Sequence, residues 1–158
     1  MYKECITLLN NRGVKLDDMI EIVYDLQIKY IPNLNYNIIK NTLIKVLNKR
    51  EVQNVILTGI SLDIAVEQKT LISNTLLDIL KKDSSLYGVD EVLAYGICNL
   101  YGSIALTNFG QLDKEKPKII GKLNNHDNNN CHVFLDDIVS AIIASCASKL
   151  AHNYQGKI

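Results

Sequence analysis

The chain has 158 residues, of which 47% are hydrophobic, and its 17 basic side chains balance 17 acidic ones. This length suffices for one domain with a substantial core, and the balanced charge argues against broad electrostatic binding to nucleic acid or to an anionic membrane. No stretch approaches the roughly 18 apolar residues of a membrane span, and the N-terminus lacks the form of a signal peptide. We therefore expect a cytoplasmic protein.

Apolar residues recur at helical spacing along almost the whole chain, which predicts an all-α fold: a compact single-domain helical bundle spanning residues 1–158. A polar, low-complexity stretch at 126–130 predicts a mobile loop. In chain order, the predicted helices cover residues 2–11, 17–30, 35–48, 50 to at least 60, 70–82, 89–106, about 113–120 and 135–152.

The last predicted helix is apolar or small nearly all the way round. A helix without a polar face is normally buried. Its small residues, such as Ala141, Ala144 and Ala147, would allow neighbouring backbones to approach closely. We therefore place this helix at the centre of the bundle.

Two acidic doublets, Asp90-Glu91 and Asp136-Asp137, open two of the most apolar predicted helices, and Asp113 lies between them in the sequence. Carboxylates beside apolar segments are costly to bury unless something neutralises them. Mg²⁺ would do so, because it favours a few carboxylates together with the oxygens of a phosphate substrate. The pattern predicts a phosphate-handling metal site built from separate helices.

Helix capping is the alternative explanation for each doublet. Acidic residues in a first turn accept backbone hydrogen bonds and complement the helix dipole. Capping, however, needs one acceptor and not two adjacent acids that repel each other. Adjacent helical positions point about 100° apart. One member of a doublet could therefore bind the ion while the other caps the helix or holds a water molecule.

Two further residues are candidates on weaker patterns. Asp63 falls close to the apolar stripe of the fourth predicted helix, so it lies either at the end of the core or inside a polar cavity. Lys116 follows Asp113 by three positions and could bring a positive charge toward a phosphate. A lysine near a helix boundary is more often solvated, and both alternatives stay open at this point.

Four segments, at 49–59, 87–91, 101–110 and 134–139, carry a specific combination of motifs. Together they resemble the soluble branch of the bacterial phosphatidylglycerophosphatase A family along nearly the whole chain. The smaller set of motifs shared with the membrane-embedded members of that family matches the two acidic doublets and Asp113 with Lys116-Pro117.

The resemblance implies a compact helical fold with a central helix, and Mg²⁺-dependent removal of phosphate from phosphatidylglycerophosphate to give phosphatidylglycerol. The acidic residues would be metal ligands or water activators, because a metal lowers the pKa of bound water and screens charge on the phosphoryl oxygens. Asp90, Asp137 and Lys116 would be catalytic, with Lys116 contacting the phosphate. The metal-ligand candidates are Asp90, Glu91, Asp113, Asp136 and Asp137, with Asp63 as an additional candidate.

Two other functions stay open: a metal-dependent hydrolase of a soluble phosphate or nucleotide, and a non-catalytic, cation-binding regulatory protein. The expected partner is a phosphate ester, with a phospholipid headgroup favoured and nucleic acid not expected. Peripheral contact with the inner face of the membrane and assembly into a homo-oligomer are also open.

Overall fold

The computed structural model describes residues 1–125 and 130–155, so residues 126–129 of the predicted loop lie outside the described residues. The described part is helical and contains no strand, which confirms the predicted all-α fold. Its helices are α1 (Tyr2–Asn11), α2 (Leu16–Gln27), α3 (Tyr36–Leu47), α4 (Arg50–Glu67), α5 (Asn74–Lys81), α6 (Val89–Cys98), α7 (Ser103–Glu115), α8 (Ile119–Asn124) and α9 (Leu135–Gln155).

Helix α9 is the centre of the bundle, as its composition predicts. It contacts α2, α3, α4, α6, α7 and α8. Every residue from 133 to 148 is buried, including the serines Ser140, Ser145 and Ser148. Because α9 is enclosed on all sides, the carboxylates in its first turn are enclosed with it.

The predicted helix at 89–106 is wrong in one respect, since the chain turns at 99–102 and divides it into α6 and α7. Gly102 has a φ of 79°, a conformation that glycine adopts without steric cost. This turn lets both α6 and α7 contact α9.

The predicted helix at 113–120 is also displaced. Helix α7 continues to Glu115, and α8 begins only at Ile119. Lys116 takes a left-handed conformation, with φ 45° and ψ 54°, and Pro117 follows it. Proline lacks the N–H that a continuing helix needs and disfavours helical geometry in the preceding residue.

Gly59 sets the distance between α4 and the start of α9. A Cβ atom at this position would lie 2.2 Å from Ile138 Cδ1 and 3.1 Å from Phe134 Cβ. A larger residue at position 59 would therefore require Ile138 to change its side-chain conformation and Phe134 to move by a few tenths of an ångström, so glycine favours the close approach of α4 to α9.

None of the helices within residues 1–125 and 130–155 combines the length and the apolar character needed to cross a bilayer.

Candidate metal centre

A small cavity of about 130 Å³ lies where the first turns of α6 and α9 meet the C-terminal end of α7. All five acidic residues predicted from the sequence as metal ligands line it, together with Lys116. The complete lining is Asp83, Asp90, Glu91, Asp113, Lys116, Asn124, Val133, Asp136 and Asp137.

Three of these carboxylates form a compact group, the acidic triad of Asp90, Glu91 and Asp137. Each offers one oxygen, and the three oxygens lie within 4.8 Å of one another. Two oxygens bound to one Mg²⁺ at about 2.1 Å are at most about 4.2 Å apart. A small movement would therefore bring all three onto a single ion.

One atom of the triad lacks a partner. Asp90 Oδ1 is buried and accepts no hydrogen bond from the described residues. A buried carboxylate oxygen without a donor carries a desolvation penalty, which a bound cation would remove. The donor set is all oxygen, as a hard cation such as Mg²⁺ prefers. The residues present therefore fit a magnesium site.

The other two predicted ligands, Asp113 and Asp136, are directed toward Lys116. Its Nζ atom lies 2.6 Å from Asp113 Oδ1 and 2.8 Å from Asp136 Oδ2, and 3.5 Å from Asp137 Oδ1. Burial by itself would lower the pKa of Lys116, but Asp136, Asp113 and Asp137 together raise it above its usual value. The ammonium group therefore stays charged beside the triad.

Burial raises the pKa values of three carboxyl groups at the cavity, those of Asp90, Asp136 and Asp137. The pKa of Asp137 rises to about 8, because desolvation and the charge of Asp136 outweigh the stabilising charge of Lys116. The pKa of Asp90 rises to about 7 through desolvation and its neighbour Glu91. Without a cation, these two groups bind protons near neutral pH. A divalent cation would replace those protons.

The backbone around Lys116 is fixed by α8. The N–H of Lys116 donates to the carbonyl of Leu112 at 2.8 Å. A Cβ atom at Gly121 would lie only 2.4 Å from the carbonyl oxygen of Lys116. Glycine at this position lets α8 pack directly against the Lys116 peptide.

Asp63, the additional ligand candidate, does not line the cavity. It is fully buried on α4 and accepts hydrogen bonds from the backbone N–H groups of Phe134 and Leu135, both at 3.1 Å. Burial raises its pKa to about 7, although Phe134 and Arg12 favour the charged form. Of the two alternatives left open by the sequence, the core position is the one occupied.

Two polar residues of the cavity were not predicted from the sequence. Asp83 lies in the connection between α5 and α6, and Asn124 ends α8. The position of Asp83 shortly before the first doublet could have indicated it. Asn124 belongs to an asparagine-rich stretch with no distinctive spacing, so only the packing of α8 reveals it.

One comparison with known proteins identifies a family, and two others give relatives of similar length. The sequence profile of the phosphatidylglycerophosphatase A family matches residues 12–152. The uncharacterized protein YutG of Bacillus subtilis (strain 168) is 54% identical over 144 residues, which covers 91% of this chain and 86% of YutG. The uncharacterized protein YpjQ of the same organism is 48% identical over 148 residues, or 94% of this chain and 82% of YpjQ.

Solved structures of similar sequence share the fold. The crystal structure of the low temperature requirement C protein from Listeria monocytogenes matches with a TM-score of 0.92 and 50% identity, covering 98% of this chain and 96% of that one. A protein of unknown function from Bacillus stearothermophilus matches with a TM-score of 0.92 and 46% identity, covering 97% and 94%.

Proposed function

This chain belongs to the phosphatidylglycerophosphatase A family, and we propose that it is a Mg²⁺-dependent phosphatase that hydrolyses the phosphate monoester of phosphatidylglycerophosphate to give phosphatidylglycerol. Membership of the family supports a phosphatase-like function. The observation that carries the proposal is the acidic triad with Lys116 beside it in one cavity.

The acidic triad and Lys116 have separate roles in this proposal. Mg²⁺ held by Asp90, Glu91 and Asp137 would neutralise their charge, lower the pKa of a water molecule and screen charge on the phosphoryl oxygens. Lys116 donates two hydrogen bonds, to Asp113 and Asp136. An ammonium group has three N–H donors, so one remains for a phosphate oxygen.

The size of the cavity favours a terminal phosphate group. Sites that enclose a whole small molecule usually measure about 300–1,000 Å³, whereas this cavity measures about 130 Å³. It has room for an ion and a phosphate but not for a nucleoside as well. The rest of the ester would stay outside, as the diacylglycerol part of a phospholipid must.

Exposed apolar side chains close to the first doublet favour a lipid. Leu86 is fully exposed, and Val89 and Val92 flank Asp90-Glu91 with exposures of 50% and 66%. Apolar groups exposed together mark contact surfaces more often than isolated ones do. We propose that this surface makes peripheral contact with the inner face of the membrane, in a protein located in the cytoplasm.

Phosphate release by the purified protein tests the proposed function. With Mg²⁺, we expect release from phosphatidylglycerophosphate in mixed micelles and its loss when EDTA is added. Soluble monoesters and a panel of nucleotides serve as competing substrates. Release from nucleotides alone would contradict the proposal. No release from any substrate, with Mg²⁺ tightly bound, would favour the regulatory alternative.

A separate variant tests whether the exposed apolar surface around Leu86 contacts lipid. Leu86 has a φ of 67°, a conformation that asparagine tolerates well, so Leu86→Asn should not disturb the fold. We expect this variant to act more slowly on micellar substrate and at the wild-type rate on a short-chain, monomeric analogue. Equal rates on the micellar substrate would rule out Leu86 as a lipid contact.

A further inference from the structure

The start of α9 is capped by a side chain from another helix. The first N–H groups of a helix have no partner within it. At α9, the N–H of Phe134 donates to Asp63 Oδ1 and the N–H of Leu135 donates to Asp63 Oδ2. Each oxygen of the Asp63 carboxylate therefore holds one of the two peptide groups that come directly before Asp136 and Asp137.

Gly59 lies one turn before Asp63 on the same face of α4. The contact described above brings its Cα close to Phe134 and Ile138. Both residues therefore contact the first turn of α9. Gly59 allows α4 to approach this turn closely, and Asp63 fixes the position of its backbone through two hydrogen bonds.

Glu67 extends this contact by one further turn of α4. Its Oε1 atom accepts the N–H of Cys131 at 2.7 Å and pairs with Arg12 at 2.6 Å. Arg12 also donates to the carbonyl of Cys131. Gly59, Asp63 and Glu67, spaced four apart, form what we call the α4 cradle, which holds residues 131–138.

We propose that Asp63 is a positioning residue, which holds the first turn of α9 so that Asp137 reaches the acidic triad while α4 holds the opposite side of that turn. The inference rests on the proposed function. Asp63 does not line the cavity. The groups that donate to its carboxylate are the backbone N–H groups of Phe134 and Leu135 and the thiol of Cys131, all in or next to the first turn of α9. A misplacement of about 1 Å in a catalytic group can cost about 10²-fold in rate. Buried hydrogen bonds that fix the backbone just before Asp137 would prevent such a misplacement.

Asp63→Asn tests the proposal through Mg²⁺ affinity measured by calorimetry. The variant keeps the size of the side chain but offers one carbonyl oxygen and one NH₂ group to two N–H donors. We expect Mg²⁺ to bind about 10-fold more weakly or worse, as when residues that orient metal ligands are changed. The control is Ile39→Val, a buried change on α3 away from the cavity, for which we expect wild-type affinity. Wild-type affinity in folded Asp63→Asn would overturn the proposal.

A second measurement needs no metal. In NMR spectra of the ion-free protein, the carboxyl ¹³C chemical shifts of Asp136 and Asp137 should change in Asp63→Asn and remain unchanged in Ile39→Val. Unchanged shifts in both variants would overturn the positioning role. Failure of the wild-type protein to bind Mg²⁺ would instead overturn the proposed function and leave these shifts to decide the role of Asp63.

If Asp63→Asn does not fold, Glu67→Gln replaces it. This side chain lies on the same cradle and is less buried than Asp63. We expect the same shifts to move by a smaller amount, and no movement at all would contradict the proposal.

Discussion

The two acidic doublets are alike in sequence but differ in the structure. Asp90 and Glu91 are partly exposed, and both belong to the acidic triad. Asp136 and Asp137 are almost fully buried, with 6% and 3% exposure. Their main contacts differ, since Asp137 belongs to the triad and Asp136 makes the closer ion pair with Lys116. Similar pairs of acids at helix starts can thus perform different tasks.

The surroundings of the two helices explain this difference. Helix α6 lies at the edge of the bundle, where both carboxylates can turn toward one cavity and keep some contact with water. Helix α9 is enclosed on every side, so its buried carboxylates need a compensating charge. Adjacent positions point about 100° apart. Asp136 accordingly makes the closer contact with Lys116, at 2.8 Å, whereas Asp137 lies 3.5 Å from Lys116 and beside Asp90 and Glu91.

Separate substitution of Asp136 and Asp137 is the strongest test of their different roles. We expect Asp137→Asn to lower phosphate release by about 10²–10³-fold and to remove Mg²⁺ binding seen by calorimetry, because it takes a ligand from the triad. Asp136→Asn keeps the triad and loosens Lys116, so Mg²⁺ should still bind and the loss of rate should be smaller. Equal loss of Mg²⁺ binding in both variants would contradict the division.

Lys116 and Lys118 offer a matched pair of lysines. Each pairs with more than one acidic side chain, but Lys118 does so on the surface with Glu21 and Asp25. We expect Lys116→Ala to lower the ion-free stability by about 3 kcal/mol, because it leaves Asp136 buried without its cation. Lys118→Ala should change little, as is usual for exposed ion pairs.

Thermal unfolding of both variants, with EDTA present, checks this prediction. Phosphate release should also fall by about 10-fold or more in Lys116→Ala and stay near the wild-type rate in Lys118→Ala. Similar losses of stability in the two variants would show that the partly buried pair at Asp136 is worth no more than a surface one.

The smallest expected effect is a pH dependence of the stabilisation by Mg²⁺. The pKa values of Asp137 and Asp90 are raised in the folded protein, to about 8 and about 7. At a pH between the ordinary pKa of an aspartate and these raised values, the folded state therefore binds more protons than the unfolded state. The stability of the ion-free protein accordingly falls as the pH rises through this range. Mg²⁺ must displace those protons. The gain in Tm on adding Mg²⁺ should accordingly be larger near about pH 8.5 than near about pH 6.

An EDTA reference at each pH isolates this effect. Asp63 also has a raised pKa, of about 7, and it lowers ion-free stability over the same range without facing the cavity. Subtracting the EDTA value removes its contribution. A gain in Tm that does not depend on pH would show that Mg²⁺ does not replace protons at the triad.

The helices were predictable because they depend on local spacing. The ends of α1 and α3 and the enclosed nature of α9 follow from where apolar residues recur in the sequence. The turn at 99–102 did not follow, since the apolar pattern continues through it. In the structure α6 ends at Cys98, the N–H of Tyr101 donates to the carbonyl of Cys98, and Gly102 then takes a positive φ before α7 begins. Asn124 was missed for a related reason, because its place in the cavity depends on how α8 packs.

The sequence by itself determined the fold class, the central helix and five of the six acidic residues that line the cavity, because burial periodicity and charges beside apolar helices are local properties. Only the tertiary structure decided how these charges are shared: Asp90, Glu91 and Asp137 come together, Asp113 and Asp136 turn to Lys116, and Asp63 holds the start of α9. The physical reason is that a carboxylate's partner depends on the rotation and approach of separate helices, which residues distant in sequence such as Gly59 and Gly121 set through close contacts.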